Sequence, residues 1–523
     1  MTLSPDSFLG SRGFSENPFI LTNADEEQNL SSYFVPPPFF DAVLGQAAEP
    51  KSCTVFAPRG GGKTAQKVMI EATSRVSSND ASFLCLTYDR FILPDKFSPK
   101  SASLDWHLLN IVRILTASLL VDIEEHDKQG LLDQEEKDFL VKTARNYLFD
   151  INPSEFQNLI YSMRNWQGHA EDIFKKYGGQ IANLLTAIAS RFDLGKIEAL
   201  GGTVDNTRAT LIVYFERLIS VAQKLGYRAV YILVDRVDET SVTQNDANSS
   251  FEFIQSLLLD LHVLETKGCA FKFFLWDQVR SKYISAGGRT DRIPLYSLNW
   301  NFNEMSTMLS ERLKAYSEGK VKSMNELLAD DDGFDLHSLV TILAFGSPRD
   351  MIRLCKAIVD EKTRVKNEPG ILERRFVNQG ISTFSDQRSL ELFGGLMEDL
   401  RKVGLASFTI SMLANDIFRV TANAISRKIQ IWTDQGAVVR SGEVPNPGAR
   451  PQNLYSLSDP RLCFSVKSQY ITDAILESNL FICPSCDAIN IYEQEDVTSC
   501  RHCQSPIDDD CNVLYIVDSS KRF

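Results

Sequence analysis

The stretch KSCTVFAPRGGGKTAQKVMIEA, Lys51 to Ala72, constrains the fold of this chain more than any other. An apolar run leads to Ala57, Pro58 and Arg59, three glycines follow at 60–62, and a helix-forming run opens at Lys63. Glycine lacks a Cβ, so the backbone there can turn tightly and approach a neighbour closely. The text therefore reads as strand, tight turn, helix. Two later runs, RAVYILVD (Arg228 to Asp235) and AFKFFLWD (Ala270 to Asp277), are continuous enough in apolar residues to be strands buried on both faces. The helical run SFEFIQSLLLDLHVLETKG separates them. Strands alternating with helices predict an α/β domain, a parallel sheet with helices on both sides.

Ala57-Pro58-Arg59-Gly60-Gly61-Gly62-Lys63-Thr64 fits the phosphate-loop pattern G-x-x-x-x-G-K-[ST], with alanine at the first position. Backbone N–H groups would close around phosphate oxygens, helped by the positive end of the following helix. Lys63 would bring its charge to the β and γ phosphates of ATP, and Thr64 its hydroxyl to Mg²⁺. The bland alternative is a glycine-rich turn with no ligand. VYILVDRVDET bears on that choice, because a buried strand there ends on Asp235, with Asp238 and Glu239 close behind. A nucleotide triphosphatase needs one carboxylate to hold hydrated Mg²⁺, at the tip of the strand beside the phosphate loop, and a second to polarise water. Asp235 suits the first role, and Asp238 or Glu239 the second. The bland alternative for this segment, taken by itself, is a solvated acidic turn capping a helix.

The order of phosphate loop, hydrophobic-Asp-x-x-Asp-Glu, further strand, helical lid and winged helix resembles AAA+-related P-loop ATPases. Among them the signal-transduction branch (STAND, with NACHT and KAP types) and the origin-initiator ATPases are most similar. VDRVDE is similar to the STAND form; the ordinary AAA+ form would put Glu where Arg236 stands. The resemblance implies a first sensor after FFLWDQ, at Asp277 or Gln278, and a second sensor in GSPRDMIRL, at Arg349. For Arg349 the plain alternative is a helix-start arginine paired with Asp350 or with solvent. The resemblance also implies that Arg280, Arg289 or Arg292 could reach a neighbouring subunit, although exposed arginines on one loop are often only solvated. Lys63 and Asp235 lie 172 residues apart, so residues 101–224 are expected to contain a helical insertion.

Beyond the sheet, SLELFGGLMEDLRKVG, TISMLANDI and TANAISRKIQIWTDQG predict three helices, with Ile425, Ile429 and Trp432 facing inward and Gly436 closing the last. AVVRSGEVPNPGARPQNLYSLSD reads as two strands around a Pro/Gly loop, the wing of a winged helix. Asn423, Ser426, Arg427 and Lys428, with Arg440 and Arg450 on the wing, are the candidates to meet DNA, while Asp434 and Glu443 dilute their charge. The competing expectation is a winged helix that serves as an internal packing module. Cys483-x-x-Cys486 and Cys500-x-x-Cys503 have the spacing of a four-thiolate Zn²⁺ site with no open position, and so a structural one. His502 and Cys511 are expected to be bystanders.

A chain of 523 residues is too long for one core. The expected division is a lead-in over 1–50, a P-loop ATPase domain over 51–300 with its insertion at about 101–224, and a helical lid over 301–385. A winged helix over 386–470 and a zinc ribbon over 478–523 follow. The net charge of −13 argues against a protein coated in nucleic acid but leaves room for a local basic face. No apolar run approaches the roughly 20 residues of a membrane span, and the first residues lack the plan of a secretion signal, which makes a cytoplasmic protein the expectation. Five of the 10 cysteines are scattered singly in apolar segments, as reduced thiols would be. The expected function is an ATP-binding and ATP-hydrolysing switch in bacterial defence or signalling, with a protein partner or effector and assembly into a homo-oligomer on activation. The alternatives are a DNA-binding initiator-like ATPase and a nucleotide-bound scaffold that does not hydrolyse.

Overall fold

The computed structural model describes residues 7–76, 82–163, 170–193, 205–328, 334–364, 370–446, 450–466, 480–486, 489–491, 499–500, 503–506 and 512–514. The chain divides into two compact units, residues 36–298 and residues 1–35 with 299–523.

The first unit is built on five strands: β1 (Cys53–Ala57), β2 (Phe83–Tyr88), β3 (Ala229–Val234), β4 (Cys269–Trp276) and β5 (Leu295–Ser297). All neighbours are parallel and the order is β2-β3-β4-β1-β5. Every residue of β1, β2 and β3 is buried, as a sheet covered on both faces requires. The strand that leads to Asp235 was expected beside the phosphate-loop strand, but β4 lies between β3 and β1. β5, only three residues long and half-exposed, has too little periodicity to announce itself in the sequence.

Between β2 and β3 run the helices Leu104–His126, Gln134–Tyr147, Pro153–Ser162, Ala170–Lys176, Ile181–Arg191 and Arg208–Lys224. Among the described residues, Leu104–His126 is the one helix long and apolar enough to cross a membrane, and 83% of its apolar window is buried within the fold. An Asp133–Glu136 capping box starts the next helix, satisfying two of the free N–H groups there.

In the second unit, the segment 7–35 is anchored by Arg312, which is buried. Its guanidinium donates to Pro18 O, Leu21 O, Tyr33 Oη and Glu27 Oε2. A 20-residue helix, Arg374–Phe393, is followed by the helix Met397–Val403. A winged helix is then completed by Ile410–Met412, the π-helical turn Leu413–Ile417, Ala422–Asp434 and an antiparallel sheet. That sheet is ordered β6 (Ser407–Thr409), β8 (Gln452–Leu457), β7 (Val438–Val444). Ile425, Ile429 and Trp432 are buried, and Gly436 takes a φ of 74° just past the helix end. Three short strands, β9 (Leu480–Ile482), β10 (Ile489–Ile491) and β11 (Asn512–Leu514), form a separate antiparallel sheet beside the cysteines.

Candidate functional site

β1 delivers the chain to the loop 58–62, and the helix Lys63–Val76 leaves it. Gly60 and Gly62 sit at φ 76° and 95°, conformations that side chains disfavour. A Cβ on Gly61 would come within 2.9 Å of Pro58 O. The three glycines are therefore demanded by the loop's own shape, and the cradle they form is one a side chain would fill. Lys63 Nζ donates to Ala57 O at 3.1 Å and Pro58 O at 3.2 Å, which sets its ammonium over the loop.

Thr64, on the first turn of that helix, donates from Oγ1 to Asp235 Oδ2 at 3.1 Å. Asp235 follows directly on β3 and is 2% exposed; its Oδ1 accepts from the Arg236 N–H, where the backbone turns left-handed at φ 58°. Two oxygens bound side by side to an octahedral Mg²⁺, each at about 2.1 Å, lie about 3 Å apart. The Thr64–Asp235 pair thus has the spacing of magnesium chemistry, both in donor type and in separation.

Three residues that the sequence reading passed over, Lys67, Asp89 and Glu71, gather around the same strand ends. Lys67, fully buried, donates to Asp89 Oδ2 at 2.8 Å and stands 3.5 Å from Asp235 Oδ2. Asp89 follows β2 as Asp235 follows β3, and Tyr88 is in register with Val234, so the two carboxylates come off neighbouring strand ends together. One turn on, Glu71 accepts from Thr87 Oγ1 at 2.7 Å. Thr64, Lys67 and Glu71 recur at three and four residues along one helix face. That spacing is the signal that could have found them, since an i, i+3, i+7 polar stripe on a helix facing a buried sheet needs partners on the strands. Arg59, within the loop itself, turns to the end of β3: from Nε and Nη2 it holds Asp238 Oδ2 at 3.0 and 2.9 Å, it bonds Asn245, and its guanidinium lies over the Trp276 ring at 4.5 Å.

Asp238 is buried under that arginine, whereas the Glu239 side chain is 55% exposed, 3.9 Å from Arg236 Nε. Asp277 and Gln278 lie exposed in the 3-10 turn after β4. Arg280 donates to Ser297 Oγ, and Arg289 and Arg292 pair with Asp291 and Glu265. In the other unit, Arg349 is exposed on the first turn of the helix Pro348–Thr363. It does not take Asp350 as partner. That carboxylate is held by Arg388 at 2.8 Å and Arg461 at 2.6 Å, with Arg353 at 3.6 Å.

The four cysteines of the ribbon converge, all Sγ atoms within 4.8 Å of one another, with Cys483–Cys503 at 3.6 Å and Cys486–Cys500 at 3.7 Å. Four thiolates at about 2.3 Å from a tetrahedral Zn²⁺ stand about 3.8 Å apart. Contact with the Ser505 hydroxyl holds the Cys503 thiol down at about 6, and burial pushes Cys483 up. Asn490 donates to Cys500 Sγ at 3.4 Å. His502 and Cys511 lie outside the described residues. Ser499 Oγ donates to Ser441 O and Gln504 Nε2 to Arg440 O, which fastens the cysteine turn to wing strand β7.

On the winged helix, Asn423, Ser426 and Arg427 are exposed. Lys428 pairs with Asp399 and Arg440 with Glu443, while Arg450 is exposed just before β8.

No family model matches the chain, and no curated protein does. Among solved structures, the chain is similar to the ORC1 protein of Aeropyrum pernix in complex with DNA, at 13% identity and a TM-score of 0.35, over 86% of this chain and 96% of that one. It is similar to the ORC2 protein of the same organism in ADPNP–ADP complexes, at 11% identity and a TM-score of 0.39, over 84% and 96%. It is also similar to Cdc6p from Pyrobaculum aerophilum, at 9% identity and a TM-score of 0.29, over 83% and 95%.

Proposed function

We propose that the chain is a magnesium-dependent, ATP-binding and ATP-hydrolysing switch of the AAA+-related type. The observation that carries this reading is the meeting of Thr64 Oγ1 with Asp235 Oδ2 at 3.1 Å, from residues 171 apart in sequence, at the mouth of the glycine loop. When bound, Mg²⁺ would neutralise charge on the transferred phosphoryl group. Loop N–H groups and Lys63 hold the phosphates, Thr64 and Asp235 hold the metal, and Arg59 ties the loop to the end of β3 through Asp238. With Asp238 held by Arg59, the more exposed Glu239 is assigned to orient water. Asp277 and Arg349 remain the proposed sensors. The four cysteines suit one structural Zn²⁺.

A narrower version keeps the STAND form, with its acidic pair two residues after Asp235, a cytoplasmic setting in bacterial defence or signalling, a protein effector, and homo-oligomers on activation. A second reading, a DNA-engaging ATPase, is favoured by the outward face of the helix Ala422–Asp434, where Asn423, Ser426 and Arg427 stand exposed in a row with the helix anchored by Trp432. Phosphate release from Mg·ATP, with and without duplex DNA, tests both. Hydrolysis lost in Asp235→Asn supports the first, and stimulation by DNA that fades with salt supports the second. Hydrolysis unchanged in Asp235→Asn overturns the assignment of the site.

A further inference from the structure

The phosphate-loop helix carries a cation where a metal site would be expected to collect only anions. Asp89 and Asp235 leave neighbouring parallel strands in register, and both are buried. Two carboxylates withdrawn from water side by side are unfavourable unless a cation lies against them. Lys67 provides one: its Nζ is 2.8 Å from Asp89 Oδ2 and 3.5 Å from Asp235 Oδ2, and the side chain has no exposure. The same Asp235 oxygen accepts from Thr64, so the lysine and the proposed magnesium ligands share one atom. A divalent ion arriving there meets a fixed positive charge in a poorly solvated place, where the repulsion is only weakly screened.

We infer that Lys67 is an internal counter-cation that keeps the Asp89–Asp235 pair from binding a divalent ion by itself, so that the metal enters only with the negative charge of a nucleotide. Lys67 touches neither substrate nor metal; it is a positioning residue, and it makes metal uptake conditional. The inference rests on the proposed function for the identity of the nucleotide. It does not rest on it for the nucleotide-free behaviour of the pair.

The test titrates Mn²⁺ against the full chain, followed by electron paramagnetic resonance, with and without ATP. The parent chain is expected to bind Mn²⁺ tightly only with ATP. Lys67→Met, which keeps most of the apolar stem and removes the charge, is expected to raise the nucleotide-free affinity at least tenfold. Lys67→Met with Asp89→Asn is expected to bring it back toward the parent value. If Lys67→Met lowers stability, Mn²⁺ alone should restore its melting temperature, because the metal replaces the missing cation. A nucleotide-free affinity unchanged in Lys67→Met, or a destabilised variant that Mn²⁺ does not recover, overturns the inference. A parent chain that binds no Mn·ATP contradicts the proposed function instead, whatever Lys67→Met does.

Discussion

The proposed choice between two candidate bases turns on a single residue, Arg59. The guanidinium bonds one oxygen of Asp238 twice and sits over the Trp276 ring, an arrangement that delocalised, forked charge allows and lysine does not. Glu239→Gln is therefore expected to lower hydrolysis at least a hundredfold while leaving ATP bound, and Asp238→Asn to act mainly by loosening the loop. Single-turnover kinetics beside equilibrium binding separates the two. A second residue-scale prediction concerns His107, buried where its Nε2–H donates to Phe253 O and its Nδ1 accepts from Tyr88 Oη. Burial drives its pKa down to about 4 from the ordinary 6.5. The unfolded chain therefore binds a proton below pH 6.5 that the folded chain refuses until about pH 4, so stability falls with pH across that window, by up to about 3 kcal/mol. Urea unfolding of His107→Gln should lack that share of the pH slope. The meeting of Thr64 with Asp235 was legible in the sequence, because one follows the loop lysine and the other ends an apolar strand. Lys67 was not, because a lysine on an amphipathic helix reads as surface until the strand ends opposite it are known.

At the scale of elements, the long apolar strands were legible and the short ones were not. β1 to β4 announce themselves by unbroken apolar runs, whereas β5 and β6 have three residues each and exist only because a neighbouring strand pairs with them. Strand order was equally hidden, since the insertion of β4 between β1 and β3 is decided by tertiary packing. The winged helix was legible from Ile425, Ile429 and Trp432, whose helical spacing survives as a buried stripe. The cysteine turns were legible from spacing alone, but their attachment to β7 through Ser499 and Gln504 was not. That attachment predicts a consequence of metal loss: chelation should release one Zn²⁺ per chain and increase hydrogen exchange in β7 as well as in the ribbon. Exchange confined to the ribbon would show that the two are uncoupled. On the DNA-engaging reading, Arg427→Ala is expected to weaken duplex binding and to lower its salt slope by about one, as read by fluorescence anisotropy.

At the scale of the whole molecule, two units with separate cores share one chain, and residues 7–35 belong to the second because Arg312 gathers their carbonyls and Glu27 into its own interior. A sequence reading cannot assign such a segment, since its partners lie nearly 300 residues away. A ligand that binds one folded unit stabilises that unit, by about 2.7 kcal/mol at a hundred times its dissociation constant. Mg·ATP is thus expected to delay unfolding of residues 36–298 in hydrogen exchange. The central claim is that the glycine loop and the end of β3 form one magnesium–nucleotide site. Isothermal calorimetry of Mg·ATP against the parent chain and Lys63→Ala tests it most directly. Saturable one-to-one binding that weakens at least tenfold in Lys63→Ala is the result predicted, and no heat from the parent, or equal affinity in both, would contradict it.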